Sequence, residues 1–400
     1  MRAVVSGAGI AGLTFGLCMQ RAGHEVTIIE RSPQLRDAGY MMDFFGPGYD
    51  AAEALGLLPE VEKIHYPIGR LTFLETDGEP KYTLSYDEFQ ELFDGRHFNF
   101  MRGDLERLLY EVLPDRSTIK FGRTIARVDQ REDGVRVTLD DGKALEADIL
   151  VGADGIHSNV RGLVFGPEAD YERYLGYHTF AFILDDPGLR RETEDQFSTL
   201  TTPGRQVAIY PIHEGRVATF FVHEDDAPPP DHSKDRALEE LRDRYGDLDW
   251  VVPRLIRRAE ALPGLYFDAV SQIEVPRWSK GRAVLVGDAA YCVPLLAGQG
   301  AGMAILGAAL LAAELDGHPD DPAEAFAPYE GRMRPYTDVR QEAGRDFADM
   351  FVPGSKLKLL FRDTVMRYSA WPPMSWIVKQ DIAGGGMDPE DWRILSSLQR

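Results

Sequence analysis

Short apolar runs and glycine-rich turns alternate along the first part of the chain. Ala3 to Val5 forms one such run, and a second, "EVTIIE", ends at Glu30 after an intervening segment of one helix length. Ile149 to Val151 and Ala283 to Val286 are further apolar runs, each followed by a glycine-containing turn. Strand, turn, helix and strand in this order predict βαβ units on a parallel sheet.

A second pattern, alternation of apolar and polar positions, occupies much of the remaining chain. It is seen in "IGRLTFLET", "KYTLSY", "LGYHTFAFIL", "STLTTPGRQVAIYPI", "GRVATFFVHE" and "LYFDAVSQIEV". This alternation predicts a largely antiparallel sheet with one face toward solvent. We expect the other face to cover a ligand site with aromatic side chains, although each aromatic taken alone is more often plain core. The candidates on that face are Phe180, Phe182, Tyr210 and Phe221.

The segment from Ala289 to Ala313 contains no charged side chain. Pro294 and several glycines interrupt its first half, so its continuous helical part, Met303 to Leu315, is shorter than the roughly 20 residues that a bilayer requires. We therefore interpret the segment as a loop followed by a buried helix that begins near Gly300. No stable membrane association is predicted.

Charge and cysteine content narrow the choice of partners. The chain has 65 acidic and 44 basic residues and a formal net charge of -21, which disfavours nucleic acid and anionic membrane surfaces. Cys18 and Cys292 lie in apolar settings, which predicts a reducing, cytoplasmic location and no disulfide. His223 and His232 are isolated along the chain and fit a surface loop, so no metal site is predicted.

Gly7, Gly9 and Gly12 fit the pattern G-x-G-x-x-G directly after the first apolar run. In a dinucleotide-binding turn the first glycine permits the tight turn, the second admits the pyrophosphate, and the third lets helix and strand pack closely. Glu30 is placed to bind a ribose hydroxyl, and its charge disfavours a 2′-phosphate. The motif therefore predicts FAD or NAD and does not separate the two.

Two later turns repeat this logic. In "GADGIHSNVR", Asp154 follows a strand end, Ser158 is placed to cap a helix, and Arg161 is a cation within reach of phosphates, although a simple strand-turn-helix junction looks the same. Asp288 also follows a strand, and a sugar hydroxyl would satisfy its carboxylate. The backbone amides from Gln299 to Gly302 would stabilise an anionic ring system at a helix N-terminus.

The turns occur in the order "GAGIAG", "GADG" and "GD" with "PLLAGQGAG", and "RGDLERLL" begins at Arg102. In this combination the chain resembles the single-component flavoprotein aromatic hydroxylases typified by para-hydroxybenzoate hydroxylase. "GYMMDFFGPGYDAAEALGLL" and the tail "KLKLLFRDTVMRYSAWPPMSWIV" are similar to the branch that contains tetracycline-inactivating monooxygenases.

The resemblance spans the chain and implies an α/β fold, in which a Rossmann-like FAD-binding domain carries an inserted, mostly antiparallel β-sheet substrate domain and a C-terminal helix. The FAD-binding domain is expected to be discontinuous and to comprise residues 1–66, 100–168 and 279–330. Residues 67–99 and 169–278 are expected to form the substrate domain, and residues 331–400 a helical segment that bridges the two.

By the same resemblance the chemistry is that of an FAD-dependent monooxygenase. NADPH or NADH, a transient co-substrate, reduces the FAD, and O₂ then forms a C4a-hydroperoxyflavin that oxygenates, with hydroxylation expected, an aromatic or polyketide-like small molecule. Pro294, Gln299 and Gly300 are implied to surround the flavin peroxide, and no residue is assigned as general acid or base. The residues implied to bind FAD are Gly7, Gly9, Ala11, Gly12, Glu30, Arg31, Arg102, Asp154, Gly155, Gly287, Asp288, Gly298, Gly300, Ala301 and Gly302.

The "GYMMDFFG" segment is expected to be a loop near the isoalloxazine, so Met41, Asp43 and Phe45 are candidates for the substrate site. Asp43 either lines that site or bonds only its own loop backbone. Gly302 and Gly307 depart from the family, in which asparagine and aspartate are common, so backbone is expected to replace a side-chain contact to the flavin.

Two other functions stay open at this point. An FAD-dependent reductase or dehydrogenase would share the scaffold but would need a long, narrow tunnel and an electron partner. A catalytically silent FAD-binding protein would neither accept hydride nor activate oxygen, and Gly302 and Gly307 are compatible with it. The sequence names neither the substrate nor the preferred nicotinamide, and a monomer or weak dimer is expected.

Overall fold

The structure, a computed structural model, describes residues 1–35, 40–66, 68–91, 93–295, 298–367 and 385–399. Its strands are β1 (Arg2–Ser6), β2 (Glu25–Glu30), β3 (Met41–Phe45), β4 (Arg70–Leu74), β5 (Pro80–Ser85), β6 (His97–Met101), β7 (Ile119–Phe121), β8 (Ile125–Gln130), β9 (Val135–Leu139), β10 (Ala144–Ala147), β11 (Ile149–Gly152), β12 (Glu172–Leu184), β13 (Gln196–Thr202), β14 (Arg205–Pro211), β15 (Val217–Glu224), β16 (Tyr266–Ile273), β17 (Ser279–Lys280) and β18 (Ala283–Leu285). Its helices are α1 (Ile10–Arg21), α2 (Pro47–Ala54), α3 (Leu58–Lys63), α4 (Tyr86–Glu91), α5 (Arg102–Glu111), α6 (Pro187–Thr193), α7 (Lys234–Tyr245), α8 (Val252–Glu260), α9 (Asp288–Tyr291), α10 (Gly300–Gly317), α11 (Phe326–Phe351), α12 (Lys356–Arg367) and α13 (Pro389–Ser396).

The predicted parallel sheet is confirmed and has six strands in the order β17-β18-β11-β1-β2-β7. Its pairs are parallel except β17 with β18. Val5 on β1 lies between Val151 and Ile28, and all three side chains are completely buried. Strands buried on both faces read as continuous apolar runs, which is why the sequence pattern located β1, β2, β11 and β18.

The second large sheet has seven strands in the order β16-β12-β15-β14-β13-β4-β5 and is antiparallel except for the pair of β13 with β4. The prediction of a largely antiparallel sheet is confirmed. The prediction that one face meets solvent is wrong, because α7 and α8 cover that face and build a second hydrophobic core with it. The opposite face packs toward the six-stranded sheet.

Two smaller sheets were not predicted. β8, β9 and β10 form a three-stranded antiparallel sheet, and β3 pairs antiparallel with β6. The "GYMMDFFG" segment is therefore a strand and not the expected loop, because Met41–Phe45 pairs with β6 and buries Met42 and Phe44 on one face.

Helix α10 begins at Gly300, as predicted, and its early glycines continue the helix instead of breaking it. Among the described helices it alone is long and apolar enough to cross a membrane by length and composition, and 78% of its apolar window is buried. It contacts α1, α2 and α11. The need to fill this central position in the core explains its apolar composition.

Of the C-terminal helices, α12 contacts the seven-stranded sheet, and α13 contacts helices α2, α10 and α11. Arg362 on α12 donates a hydrogen bond to Thr201 of the seven-stranded sheet. Asp391 on α13 accepts one from Arg332 of α11, and α13 also packs on α2 and α10. The division into domains, including the bridging role of residues 331–400, stays a prediction. Residues 368–384 of the basic, aromatic tail lie outside the described residues.

Candidate active site

The turn between β1 and α1 forms a tight glycine cradle. Gly7 has φ +102°, and a Cβ atom there would collide with the carbonyl group of Ala153. A Cβ atom on Gly12 would collide with the carbonyl oxygen of Gly7. α1 starts directly after Gly9, so its first-turn amides, which lack intrahelical partners, lie at the carboxyl end of the sheet.

Glu30 ends β2 beside this cradle. Its carboxylate accepts hydrogen bonds from the backbone N–H groups of Ala8 and Ser32, both at 2.8 Å. The side chain is partly exposed, so a ribose hydroxyl can reach the same oxygens. Arg31, next along the chain, is exposed. The contacts of these two residues with a cofactor remain predictions.

Arg102, at the start of α5, brings a cation to the same cleft. It forms an ion pair with Glu106 at 3.1 Å, and the two side chains lie 3.9 and 3.7 Å from where a Cβ atom on Gly9 would be. The Glu106 carboxylate raises the pKa of Arg102 well above its usual value. Burial raises the pKa of Asp288, and the charge of Arg102 opposes that rise. Charged groups of both signs therefore meet beside the glycine cradle.

The loop before α10 completes the cleft. A Cβ atom on Gly298 would lie 3.7 Å from Asp43 of β3, and one on Gly300 would lie 4.0 Å from Asp288. Gly287 precedes Asp288, and a Cβ atom on Gly287 would lie 3.0 Å from the Cβ atom of Ala11 on α1. The first-turn amides of α10, which include that of Gly300, have no partners within the helix.

Helix α11 supports this loop from behind. The Gln299 side-chain oxygen accepts a hydrogen bond from Nε of Arg340 at 2.5 Å, and burial lowers the pKa of Arg340 to about 10. The buried Pro294 ring packs on Gly344, where a Cβ atom would lie 2.6 Å from Pro294 Cγ. No sequence motif pointed to Arg340. That Pro294 and Gln299 also border the flavin remains a prediction.

FAD fits the residues of this cleft. The glycine cradle leaves room for a pyrophosphate that side chains would fill, and the Glu30 carboxylate is held next to it by backbone amides. The α10 N-terminus provides positive electrostatic potential for an anionic ring. The partly buried Asp288 has acceptor oxygens suited to a hydroxyl of the cofactor.

The second predicted turn is fastened internally. The Asp154 carboxylate accepts hydrogen bonds from the hydroxyls of Ser6 and Ser158 and from the N–H group of Val160. Gly155 follows at φ +82° with open space around it. Asp154 therefore shapes the turn, and a direct contact of Asp154 or Gly155 with the cofactor stays a prediction.

Arg161 does not reach toward phosphates, so that prediction is wrong. Its side chain is completely buried and donates hydrogen bonds to the carbonyl oxygens of Ile156 and Ala289 and to the carboxylate of Glu168. These bonds use both terminal nitrogens of the guanidinium and hold it against the protein and away from the cleft. The predicted cap is present, because the N–H group of Arg161 donates to the Ser158 hydroxyl at 3.0 Å.

Phe180, Phe182 and Phe221 face away from the cleft, so their prediction as substrate contacts is wrong. All three belong to the core between the seven-stranded sheet and helices α7 and α8, where Phe221 lies 5.0 Å from the ring of Tyr245. Strand alternation separates two faces of a sheet but does not say which face meets the ligand. His223, expected in a surface loop, is likewise buried, on β15.

A different aromatic set lies on the cleft side of the sheet. The Tyr40 ring lies 6.3 Å from Phe220 and 5.7 Å from Tyr266. Tyr210, which was predicted, faces the same side, and its hydroxyl accepts a hydrogen bond from the Met41 N–H group at 2.8 Å. Phe220 is the neighbour of Phe221, and the strand period would have identified it once Tyr210 was known to face the cleft.

Asp43 presents a partly exposed carboxylate, held by a chain of buried polar groups. The Asn99 amide donates to the Tyr86 hydroxyl at 2.7 Å, which leaves that hydroxyl to donate to Nδ1 of His97 at 3.2 Å. Nε2–H of His97 then donates to Asp43 at 3.0 Å. The alternative in which Asp43 bonds only its own loop backbone is wrong, and no sequence pattern identified His97 or Tyr86.

The other two candidates on β3 differ in their surroundings. Met41, Asp43 and Phe45 share one face of the strand by its two-residue period. Met41 is partly exposed, whereas Phe45 is buried and lies 4.7 Å from the ring of Phe93. Phe45 therefore packs behind the His97 network, while a substrate contact of Met41 stays a prediction.

Packing explains the two glycines that depart from the family pattern. A Cβ atom on Gly48 would collide with Gly302, so α2 and α10 touch backbone to backbone at this point. A Cβ atom on Gly307 would collide with the Tyr291 hydroxyl, which lies 3.3 Å from that of Tyr329. Close packing accounts for both glycines, so neither of them is an argument for a catalytically silent protein.

We expect the Gly307→Ala substitution to destabilise the protein by about 1–3 kcal/mol through overpacking. The Tyr291→Phe substitution removes the colliding oxygen, so the double variant should recover most of that loss. A double-mutant cycle of urea unfolding measures the coupling. Gly331→Ala, on α11 with no atom within 4 Å of its Cβ position, serves as the control. Additive single effects would show that the hydroxyl is not the obstacle.

Comparison with known proteins agrees with this geometry. A family model described as FAD binding domain matches residues 1–323. An uncharacterized protein of Mycobacterium tuberculosis is 35% identical over 348 residues, covering 84% of this chain and 91% of that protein. The 3-amino-4-hydroxybenzoate 2-monooxygenase of Streptomyces cremeus is 31% identical over 389 residues, covering 94% of each chain.

Solved structures show the same fold. The tetracycline destructase Tet(55) superposes with a TM-score of 0.82 at 24% identity, over 96% of this chain and 97% of its own. Klebsiella pneumoniae HpxO complexed with FAD and uric acid gives a TM-score of 0.77 at 24% identity, over 96% and 97% of the two chains. With the family match over residues 1–323, the chain belongs to the FAD-binding domain family and is an FAD-dependent flavoprotein monooxygenase.

Proposed function

We propose that this monooxygenase uses NAD(P)H and O₂ to hydroxylate a phenolic aromatic or polyketide-like small molecule. The observation that carries the proposal is the position of Asp43, a partly exposed carboxylate beside the loop that precedes α10 and near the aromatic side of the sheet. Bound FAD, reduced by NAD(P)H, supplies the activation of O₂. The side chains of the cleft select and orient the molecule that is oxygenated.

Asp43 is suited to accept a hydrogen bond from a phenol. Because His97 donates to one carboxylate oxygen, the other is free of that bond and lies nearest to Gly298. A phenol that shares its proton with a carboxylate carries more electron density on its ring carbons, which favours electrophilic oxygen transfer. The buried His97 and Tyr86 keep the carboxylate in one orientation, so we assign them positioning roles.

The aromatic side chains on the cleft side suit a flat substrate. Tyr40, Phe220 and Tyr266 form a continuous set, and rings of this kind bind planar molecules by stacking and edge contacts. Their apolar surface also excludes water from the reacting atoms. A relative named for an aminohydroxybenzoate and fold neighbours named for tetracycline and crystallised with uric acid support a substrate with a ring of this kind.

Isotope labelling tests the reaction class. FAD-loaded protein is incubated with NADPH or NADH, ¹⁸O₂ and a panel of phenols and aromatic polyketides, and products are analysed by mass spectrometry. We expect a substrate that accelerates NAD(P)H consumption and gains one ¹⁸O atom. Conversion without label would instead support the reductase or dehydrogenase alternative. No conversion of any phenol, with hydrogen peroxide the sole product, would contradict the proposed substrate class.

The oligomeric state, expected to be a monomer or weak dimer, stays a prediction.

We expect the Asp43→Asn substitution to lower kcat for a phenolic substrate by about 10²-fold, the lower range for loss of a positioned proton acceptor. NAD(P)H oxidation should then yield mainly hydrogen peroxide instead of hydroxylated product. Product and peroxide are measured in the same reaction. Asp87→Asn, an exposed carboxylate one residue from Tyr86, is the matched control. Equal coupling in Asp43→Asn and the control would remove Asp43 from the substrate site.

A further inference from the structure

We propose that His157, His232 and Asp268 bind a divalent transition-metal ion of the Zn²⁺ class. Three separate segments bring these side chains together, namely the turn after β11, the loop before α7, and strand β16. One ligand-type atom from each side chain lies within 4.8 Å of the other two. Two imidazoles and one carboxylate form a ligand set that zinc and its neighbours favour.

The nitrogen–oxygen distances in the cluster are close to those between ligands of a tetrahedral zinc ion. Nε2 of His157 lies 3.3 Å from one carboxylate oxygen of Asp268, and Nδ1 of His232 lies 3.6 Å from the other. The same Nδ1 lies 3.3 Å from the carbonyl oxygen of Phe267, so the His232 ring must turn away from that oxygen to bind an ion. Ligands at about 2.0–2.1 Å from zinc in a tetrahedron are about 3.3–3.4 Å apart. Because the two histidines approach different oxygens of Asp268, their rings must rotate before one ion binds both imidazoles and one oxygen, and a fourth position is then left for water.

A further carboxylate orients His157. Its Nδ1 lies 3.0 Å from Glu168, and the other oxygen of Glu168 accepts a hydrogen bond from Arg161 at 2.8 Å. Arg161 is completely buried, so the interior of the protein holds this carboxylate in place. A carboxylate on one nitrogen of a histidine fixes the ring and directs the other nitrogen toward a metal ion.

Solvent reaches the cluster. The side chains of His157 and His232 are 36% and 47% exposed, whereas that of Asp268 is 11% exposed. A second histidine pair, His178 and His223, is less suited, because both rings are buried and already contact the Glu240 carboxylate at 2.5 and 3.2 Å. Entry from solvent and a partly buried anionic ligand both favour the first cluster.

An ion at this cluster would link the two large sheets. His157 belongs to the turn at the end of the six-stranded sheet, and Asp268 lies on β16 of the seven-stranded sheet, two residues from Tyr266. Because an ion that binds only the folded protein stabilises it by mass action, Zn²⁺ is expected to raise the melting temperature of the FAD-loaded protein.

Equilibrium dialysis against Zn²⁺ tests the site in FAD-loaded protein that has first been stripped with EDTA. We expect about one Zn²⁺ per chain, and X-ray absorption should show nitrogen and oxygen ligands at about 2.0–2.2 Å. His232→Ala and Asp268→Asn should each lower Zn²⁺ affinity by more than about 100-fold, and Glu168→Gln by about 10–100-fold. His213→Ala, an exposed histidine outside the cluster, should leave affinity unchanged.

Retained FAD and an unchanged circular dichroism spectrum show that a variant is folded. His232 lies in an exposed loop, so its variant is the one least expected to disturb folding. Absence of near-stoichiometric Zn²⁺ in the unmodified protein would overturn the proposal. So would equal affinity in His232→Ala and His213→Ala, which would reduce the cluster to a set of ion pairs.

Discussion

The Gly12→Ala substitution is expected to abolish retention of FAD. The added methyl group would collide with the Gly7 carbonyl oxygen, so the first turn of α1 must move away from β1. If this displacement costs about 3 kcal/mol, and if it falls mainly on the cofactor-binding conformation, affinity drops about 100-fold. The flavin absorbance that remains with the protein after gel filtration, and FAD titration of the apoprotein, measure the loss.

Gly317→Ala is the matched control. It also places alanine on an α-helix, but at the end of α10 with no atom within 4 Å of the new Cβ. Circular dichroism of both variants separates loss of cofactor from loss of fold. Unchanged FAD affinity in folded Gly12→Ala would show that the cradle is not where the pyrophosphate binds.

The elements buried on both faces could be read from sequence because local information suffices for them. Strands β1, β2, β11 and β18 are short, largely apolar runs, glycine-containing turns follow β1, β11 and β18, and α10 is a long apolar helix. The glycine pattern also fixes the position of the first turn, since a Cβ atom on Gly7 or Gly12 would collide with neighbouring backbone. The parallel sheet and FAD binding followed from these local features together with the family resemblance.

Contacts between distant segments could not be read in the same way. The alternating strands were located, but the face of each strand is set by which partner sheet or helix packs on it. α7 and α8 pack on the face that carries Phe180 and Phe182, so the side chains of the opposite face of the sheet lie toward the cleft. A strand pattern without knowledge of the covering helices leaves the two faces equivalent.

The polar network around Asp43 also depends on contacts between segments that are distant in sequence. Asp43 stood out because it lies among apolar residues, whereas His97, its partner on β6, has no motif around it. Pairing of β3 with β6 creates the contact, and the segment "GYMMDFFG" was expected to be a loop without a partner. Likewise His157 and His232 are isolated in sequence and become neighbours only through packing of the two sheets.

Phe221→Ala and Phe220→Ala, on adjacent positions of β15, are expected to have opposite consequences. Phe221 is completely buried between the sheet and Tyr245, so its loss should lower the free energy of unfolding by about 3–5 kcal/mol and leave KM unchanged in the folded fraction. Phe220 lies on the cleft side against Tyr40, so its loss should raise KM and peroxide release with a smaller effect on stability.

Urea unfolding and steady-state kinetics of both variants, below the melting temperature of the weaker one, decide between the two faces. The pair is its own control, because both changes remove the same ring from neighbouring residues of one strand. A raised KM in Phe221→Ala with normal stability would place the substrate on the helix-covered face, as the alternation pattern first suggested. The arrangement of Tyr40, Tyr210 and Asp43 on the opposite face is the physical reason to expect otherwise.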